Sequence, residues 1–345
     1  MNIYNEEGWL DVPKIMGMGM PFVFCTGARG TGKTYGALEY GLDGGPFIYM
    51  RRTQGEVDIL CSNEMLNPFL PLNRNTGRNI GFKKVSKYTA AIYERQEEED
   101  GTLSIVGPPL GMCCALSTFA NLRGFNGSQF DFLIYDEFIP ESHVRPLRDE
   151  HLAFMNAYET INRNRELEGR SALRCFCASN SNRLDNALYM GLGLVSKVDR
   201  MKRDGQILSV LGKRGIILLN MEQSPISERK RNTALYRMAA GTGFEKMALD
   251  NVYVGEDARI NIGSKPLREY NAICAVGELC IYRHKSRSEY YVSEHTSGTP
   301  PTFATTAAEL ERFRRSFSWL WSAYLERKVF FESRICEILL TKYFD

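Results

Sequence analysis

The sequence predicts an α/β protein with a mostly parallel sheet, followed by a smaller α+β domain. Three observations support this fold class. Short, continuous apolar runs recur in the first half, and segments with helical spacing separate them. The second half changes to paired strands and longer helices. Continuous apolar strands alternating with helices are typical of a sheet that is covered on both faces.

Strands and helices alternate through the first half of the chain. An acidic turn at 97–100 lies between the two strands of a predicted hairpin. The predicted strands are 22–25, 47–50, 89–94, 102–106, 132–135 and 173–178, and the predicted helices are 33–40 and 150–165. Because the sheet is parallel, the carboxyl ends of its strands should meet along one crevice.

In the second half of the chain, the sequence predicts hairpins and longer helices in place of the regular alternation of strands and helices. The first two predicted elements are a hairpin of strands 206–211 and 215–220 and a helix from Ser224 to about Ala240, which Gly241 and Gly243 end. Paired strands at 271–283 and 288–294 follow, and the last predicted element is a long helix that begins near Thr306 and extends as far as Tyr343. The sequence therefore predicts a first domain at 1–221, a helical linker at 222–246 and a C-terminal domain at 247–345.

Composition and charge exclude several classes of protein. The chain has 345 residues, 43 Lys and Arg against 41 Asp and Glu, and 43% hydrophobic residues. These values exclude whole-chain disorder and a uniformly basic polyanion binder, and the length predicts about two domains. No run reaches the roughly 18 apolar residues of a membrane span, and we interpret the apolar run 16–25 as mature protein. Nine cysteines without a C-x-x-C spacing predict small apolar residues in a reducing cytoplasm.

The strongest motif is a glycine-rich loop between a predicted strand and a predicted helix. Its residues fit G-x-x-x-x-G-K-[ST] and are Gly27, Ala28, Arg29, Gly30, Thr31, Gly32, Lys33 and Thr34. Backbone N–H groups of such a loop and the following helix N-terminus bind phosphate oxygens. Lys33 should reach the β- and γ-phosphates of ATP, and the Thr34 hydroxyl should bind Mg²⁺. The alternative is a glycine-rich turn that binds nothing.

Two carboxylates follow the buried strand 132–135 directly. The first, Asp136, is predicted to hold the Mg²⁺. The second, Glu137, is placed to polarise a water that attacks the γ-phosphate, which is general-base catalysis. The adjacent glutamate favours ATP-hydrolysing motors over nucleotide kinases and GTPases. The alternative is a pair of solvated acids at a strand end.

Polar groups also end the strand at 173–178. Since parallel neighbours present their carboxyl ends to one crevice, Ser179 or Asn180 should contact the γ-phosphate or the attacking water. The alternative is a helix N-cap for the segment that follows.

An arginine from a neighbouring subunit can stabilise charge on the transferred phosphoryl group. The candidates, in order, are Arg163 and Arg165, then Arg123, then Arg145 and Arg148. The alternative for each is a surface or salt-bridge role. Arg51 and Arg52 are interpreted instead as residues that face the nucleotide pocket or DNA.

Positive charge is concentrated in parts of the chain. Residues 197–237 contain ten cations and four anions, a difference of +6, and the last predicted helix adds Arg312, Arg314, Arg315, Arg327 and Lys328. Local positive surface is what contact with a phosphate backbone requires, and the alternative is solvated helix faces. The C-terminal acids Asp250, Glu256, Asp257 and Glu278 form no recognisable two-metal constellation, so metal-dependent cleavage is not predicted.

Over residues 22–262 the chain resembles the DNA-packaging (encapsidation) ATPases of small tailed phages of the phi29 type. The resemblance rests on the segments 27–34, 116–123, 133–138, 162–166, 174–180 and 239–251. The loop and the acidic strand end are general features of phosphate-loop ATPases. The Arg-Asn-Arg run of 163–165, at its spacing before the Ser-Asn strand end, is more specific.

The resemblance implies an additional-strand, catalytic-glutamate (ASCE) ATPase of the RecA/FtsK-like type that binds ATP and Mg²⁺. It implies a homo-oligomeric, pentameric ring in the host bacterial cytoplasm, with no membrane partner. That ring would dock transiently on the portal vertex of an empty prohead and drive linear double-stranded DNA inward. Arg163 or Arg165 would be the trans finger, and Arg123 a trans-acting basic residue where the family more usually has Lys.

The resemblance also implies a C-terminal domain like a degenerate RNase H-like nuclease. This domain would dock on the portal (connector), or on packaging RNA where a phage has one. Two other functions stay open at this point. One is another ring-forming ATPase, such as a helicase or a phage-assembly ATPase; the other is a nucleotide-gated structural or regulatory protein with little turnover.

Overall fold

The computed structural model describes residues 2–122, 124–141, 144–221, 224–242 and 261–345. The chain divides into two compact units. The larger contains the described residues up to 192 and those from 201 to 242. The smaller contains residues 193–200 and 261–345.

The larger unit is a nine-stranded sheet with helices packed against it. Its strands are β1 Phe22–Gly27, β2 Phe47–Arg51, β3 Ile80–Lys84, β4 Thr89–Glu97, β5 Leu103–Ala115, β6 Phe132–Asp136, β7 Arg174–Ser179, β8 Leu208–Leu211 and β9 Ile216–Met221. The α-helices between residues 12 and 238 are α1 Val12–Met16, α2 Lys33–Gly44, α3 Gln54–Ser62, α4 Leu70–Thr76, α5 Glu150–Asn162, α6 Ala187–Gly191, α7 Val195–Arg203, α8 Pro225–Arg231 and α9 Ala234–Met238.

The strand order is β3-β4-β5-β2-β6-β7-β1-β9-β8. Strands β5, β2, β6, β7, β1 and β9 pair in parallel, while β3, β4 and β8 add antiparallel edges. The predicted α/β class with a mostly parallel sheet is confirmed. Because β7 lies between β1 and β6, Thr26 pairs with Ser179, and Asp136 pairs with Ala178. This register brings the ends of these three strands level with one another.

The central strands are buried along almost their whole length. Every residue of β6 and β9 is buried, as are Val23 to Gly27 of β1. Gly27 allows β1 to approach β9 closely, since a Cβ there would lie 2.5 Å from the Met221 Cβ. Eight of the nine cysteines are buried, which confirms their interpretation as small apolar residues.

Some helices of the larger unit differ from the sequence prediction. Helix α3 was not predicted, although Thr53 and Glu56 form a capping box in which the Thr53 N–H donates to Glu56 Oε2 at 2.7 Å. The single helix predicted from Ser224 to about Ala240 is wrong. It is two short helices, because Thr233 adopts extended backbone between α8 and α9. Gly243 and the end of the predicted linker lie outside the described residues.

The smaller unit is a six-stranded mixed sheet covered by helices. Its strands are β10 Asn261–Ile262, β11 Tyr270–Val276, β12 Leu279–His284, β13 Tyr290–Ser293, β14 Thr302–Phe303 and β15 Val329–Phe331, and its helices after residue 300 are α10 Ala307–Ser316, α11 Ser318–Leu325 and α12 Arg334–Phe344. The strand order is β10-β15-β13-β12-β11-β14. The predicted paired strands at 271–283 and 288–294 are confirmed by the antiparallel β11, β12 and β13. In the described ranges, no helix is both long and apolar enough to cross a bilayer.

The long last helix predicted from Thr306 is wrong. Helix α10 ends at Ser316, because the next residue, Phe317, has a φ of −124° that is not helical. Arg327 adopts a positive φ of 60° after α11. The following residues form β15, which pairs in parallel with β13. The prediction failed because Phe313 and Leu320 are both buried in one core, so the apolar spacing continues across the break.

A buried ion pair joins Arg52, just after β2, to Glu150, the first residue of α5. Arg52 Nε and Nη2 donate to Glu150 Oε1 and Oε2 at 2.7 and 2.8 Å, and the Tyr135 hydroxyl donates to Oε1 at 2.9 Å. The Arg52 side chain is 3% exposed and that of Glu150 is 1% exposed. The interpretation of Arg52 as facing the nucleotide pocket or DNA is therefore wrong.

Replacing Glu150 with alanine should lower the free energy of unfolding by about 3–5 kcal/mol, because it leaves a buried guanidinium without its counter-charge. Urea unfolding followed by circular dichroism measures this loss. The double variant Arg52→Met/Glu150→Leu removes both charges and should lose much less stability. If the double variant is as unstable as Glu150→Ala, uncompensated charge is not the cause.

Candidate active site

The glycine-rich loop lies between β1 and α2, as the sequence predicts. Gly30 and Gly32 have φ values of 64° and 92°, a left-handed region that favours glycine. Gly32 caps α2, so the first turn of this helix opens directly onto the loop. Two backbone hydrogen bonds hold the loop from outside: Leu10 N–H donates to Thr31 O at 3.1 Å, and Ala28 N–H donates to Met221 O at 3.2 Å.

The ammonium of Lys33 lies inside the loop. Its Nζ donates to Gly27 O at 2.9 Å, to Ala28 O at 2.8 Å and to Asn180 Oδ1 at 3.1 Å. Burial lowers the pKa of Lys33, and the negative charges of Glu137 and Asp136 oppose that effect. Neutral carbonyl and amide oxygens are the hydrogen-bond partners of this cation, so a phosphate would be a stronger acceptor for it.

Asp136 ends β6 and accepts three hydrogen bonds. Thr34 Oγ1 donates to its Oδ1 at 2.9 Å, while the Tyr49 hydroxyl and Arg51 Nη1 donate to its Oδ2 at 2.8 and 3.0 Å. Arg51 also donates to Glu56 Oε1 at 2.9 Å. The adjacent Thr34 hydroxyl and Asp136 carboxylate are hard oxygen donors of the kind that Mg²⁺ binds, so these residues fit the predicted metal.

Glu137 adopts a φ of 54°, which a residue with a side chain rarely does. The turn directs its carboxylate toward the end of β7. There the Asn180 N–H donates to Glu137 Oε2 at 3.2 Å, and the Asn180 side-chain amide donates to Oε1. Burial raises the pKa of Glu137, and the charge of Asp136 raises it further.

Asn180 therefore connects Lys33 of the loop to Glu137 at the end of β6. Its side-chain oxygen accepts from Lys33, and its side-chain nitrogen donates to Glu137. The sequence predicted Ser179 or Asn180 at this place. The structure brings Asn180 into the site, whereas Ser179 Oγ donates to Ile139 O at 3.3 Å and only at 3.5 Å to Glu137.

The arginine candidates differ in where they lie. Arg163 caps α5, is exposed, adopts a φ of 46° and donates to Phe125 O. Arg145 and Arg148 are exposed, and Arg148 pairs with Asp149 at 3.4 Å. Arg123 lies outside the described residues.

Arg165 is buried inside its own unit, with 1% of its side chain exposed. Its guanidinium donates to Phe130 O at 2.7 Å and pairs with Asp131 at 3.0 Å. A finger must leave its own subunit to reach a neighbouring site, and this side chain is held within its own fold. This position disfavours Arg165 as a trans finger, and the choice between Arg163 and Arg165 stays a prediction.

Sequence reasoning missed two residues of this site, Tyr49 and Lys230. Tyr49 and Arg51 come from β2, and the parallel pairing of β2 with β6 brings them beside Asp136. The position of Arg51 agrees with its interpretation as a residue of the nucleotide pocket. Lys230, which contacts the loop at Arg29 O, had no local signal because it lies about 200 residues further along the chain.

Several of the concentrated cations have hydrogen-bond or ion-pair partners within their own unit. Lys202 and Arg214 donate to the carbonyls of Asn182 and Leu192 at 2.8 and 2.7 Å. In the smaller unit, Arg312, Arg315 and Lys328 pair with Glu309, Glu311 and Glu326 at 3.0, 2.9 and 2.6 Å. The acids Asp250, Glu256 and Asp257 lie outside the described residues.

Comparison with known proteins places this chain in a family. The sequence profile of the Podovirus DNA encapsidation protein (Gp16) family matches residues 83–296. The chain belongs to this family. It is 24% identical over 263 residues to the DNA packaging proteins of Bacillus phages PZA and phi29. The aligned region covers 73% of this chain and 66% of those relatives, so it spans slightly less than two thirds of their length.

Two solved structures have the same fold as this chain. One, a bacteriophage Phi-29 viral genome packaging motor assembly, has a TM-score of 0.66 and 20% identity, with both chains covered completely. The other, the Phi-28 gp11 DNA packaging motor, has a TM-score of 0.62 and 17% identity, with 99% of this chain and 98% of that chain covered. The resemblance to the phi29-type packaging proteins stated from the sequence is confirmed.

Proposed function

We propose that this chain is an ATP-driven translocase that moves double-stranded DNA into a preformed prohead through the portal. The observation that carries the proposal is the position of Asn180, which joins the loop lysine to the strand-end glutamate. A glycine-rich turn without function would not need a buried lysine and a half-buried glutamate bridged by one amide. Membership in the encapsidation family supplies the process that this site would drive.

The loop residues bind the phosphates of ATP in this proposal. Backbone N–H groups of 29–34 and the N-terminus of α2 surround phosphate oxygens, and the Lys33 ammonium leaves its carbonyl partners for the β- and γ-phosphates. Thr34 and Asp136 hold Mg²⁺, which neutralises charge on the phosphates when it is bound. Arg51 and Tyr49 fix the orientation of Asp136 through its other oxygen.

Glu137 acts as general base in this proposal. Its raised pKa makes the Glu137 carboxylate a better proton acceptor than that of an ordinary glutamate. The two hydrogen bonds from Asn180 hold the carboxylate in one orientation. An attacking water would be placed between Glu137 and the γ-phosphate, so this chain contributes positioning and proton transfer.

In this proposal a second copy of the chain completes the site. Arg163 is exposed at the end of α5, where its side chain can reach a neighbouring subunit. We therefore assign Arg163 as the trans finger. The position of β7 between β1 and β6 supports an ASCE, RecA/FtsK-like assignment for the larger unit. The pentameric ring, the portal and packaging-RNA partners and the degenerate RNase H-like origin of the smaller unit belong to the same proposal.

The test is phosphate release with Mg·ATP, with and without linear double-stranded DNA and proheads. The chain should hydrolyse ATP, DNA and proheads together should accelerate it, and Lys33→Ala should be inactive. DNA stimulation that is independent of proheads would instead support a helicase-like ATPase. No release above Lys33→Ala under saturating ATP would contradict the proposal and support a nucleotide-gated structural protein.

A further inference from the structure

A second lysine lies against the phosphate loop. Lys230, on α8, donates from its Nζ to the carbonyl of Arg29. The same ammonium lies where a side chain on Gly30 would begin, since a Cβ at Gly30 would collide with Lys230 Nζ and would lie 3.2 Å from its Cε. The glycine therefore leaves room for a cation that comes from a distant part of the chain.

Helix α8 is held in place by contacts that do not involve Lys230. Arg229 Nη1 donates to Glu7 O at 3.1 Å, and a Cβ on Gly8 would lie 2.8 Å from the Pro225 Cβ, so the turn at 5–9 packs closely on the helix. Ile226 and Ser227 of α8 are themselves buried. The helix thus presents Lys230 to the loop from a fixed position, and removing the Lys230 side chain should not detach the helix.

The loop accumulates positive charge in this arrangement. The Lys33 ammonium donates to the carbonyls of Gly27 and Ala28, and the Lys230 ammonium donates to the next carbonyl, that of Arg29. The described partner of Lys230 is a neutral carbonyl, although an ammonium forms stronger hydrogen bonds to anionic oxygens. An anion at the loop would relieve the repulsion between the two ammonium groups, which favours a polyphosphate as ligand.

We propose that Lys230 is a second phosphate-binding lysine of this site, which exchanges the Arg29 carbonyl for a phosphate oxygen when a nucleoside triphosphate binds. This inference rests on the proposed use of the loop for ATP. Because Lys230 lies outside the motif at 27–34, the motif alone does not predict this role. Since Lys230 lies on α8, occupancy of the loop also becomes linked to the position of that helix.

Equilibrium titration of the full chain with fluorescent Mg·ATP tests the proposal. Lys230→Ala and Lys230→Gln should both weaken binding about tenfold, the loss typical of one charge-assisted hydrogen bond. The glutamine amide still donates to a carbonyl but carries no charge. Arg229→Ala removes the neighbouring cation of α8. It should bind Mg·ATP within about twofold of the wild-type affinity, because the exposed Arg229 guanidinium donates to Glu7 O and not to a loop carbonyl.

Wild-type affinity in Lys230→Gln would overturn the proposal, because it would show that Lys230 only holds the Arg29 carbonyl. An equal loss in Arg229→Ala would also overturn it, since the cause would then be the docking of α8. Tight binding without turnover by the wild type would count against the proposed ATPase and leave the lysine test valid. Absence of any ATP binding by the wild type would overturn both.

Discussion

Replacing Glu137 with glutamine should leave ATP binding intact and reduce turnover by at least about 100-fold, which is the scale of a general base. Glutamine keeps the shape of the side chain and an oxygen that accepts from the Asn180 N–H. It cannot accept the proton of the attacking water. Titration with Mg·ATP measures the binding, and phosphate release measures the turnover.

Asn180→Ala is the matched control for this variant. It removes the amide that orients Glu137 and contacts Lys33, but it leaves the carboxylate in place. Turnover should therefore fall less than in Glu137→Gln. Hydrolysis at the wild-type rate in Glu137→Gln would remove Glu137 from the role of base.

Replacing Arg163 with alanine should reduce turnover by about 1,000-fold or more, which is the lower end of the effect of an arginine finger. The exposed side chain contributes no buried packing, so the free energy of unfolding should change little. The backbone of Arg163 adopts a φ of 46°, in the left-handed region that a residue with a side chain rarely adopts. Such strain is common where a side chain must be held for function.

Arg165→Ala distinguishes the two arginines. Its loss leaves Phe130 O without its buried donor and should lower the free energy of unfolding by about 2 kcal/mol. Any loss of activity should follow from that instability and should not be restored by a second copy of the chain. A stable Arg165→Ala that lacks turnover would contradict the structural role of Arg165.

The loop and the acidic strand end could be predicted because their chemistry is local. Lys33 and Thr34 follow from spacing between a strand and a helix, and Asp136 and Glu137 follow a short apolar run. The contribution of Asn180 followed from one further rule, that parallel strands present their carboxyl ends together. The register of β1, β6 and β7 satisfies that rule.

The different positions of the two arginines, the position of Lys230 and the end of the last helix depend on long-range contacts, which the spacing of residues in the sequence does not predict. Arg163 and Arg165 are two residues apart in one polar run, yet one is exposed and the other is buried beside Phe130. Their difference arises from the turn that ends α5. Lys230 reaches the loop only because α8 packs on the N-terminal turn at 5–9. The last predicted helix failed because Phe313 and Leu320 are buried in one core on either side of the break between α10 and α11, so the apolar spacing alone does not show the break.

The central claim is that each phosphate loop hydrolyses ATP with an arginine from a neighbouring copy of the chain. Phosphate release by an equimolar mixture of Arg163→Ala and Lys33→Ala tests it most directly, because each variant lacks what the other supplies. Each alone should be inactive, and the mixture should recover up to about a quarter of the wild-type rate, since one interface in four pairs an intact loop with an intact arginine. An inactive mixture, together with a wild-type rate per subunit that does not depend on protein concentration, would contradict the claim.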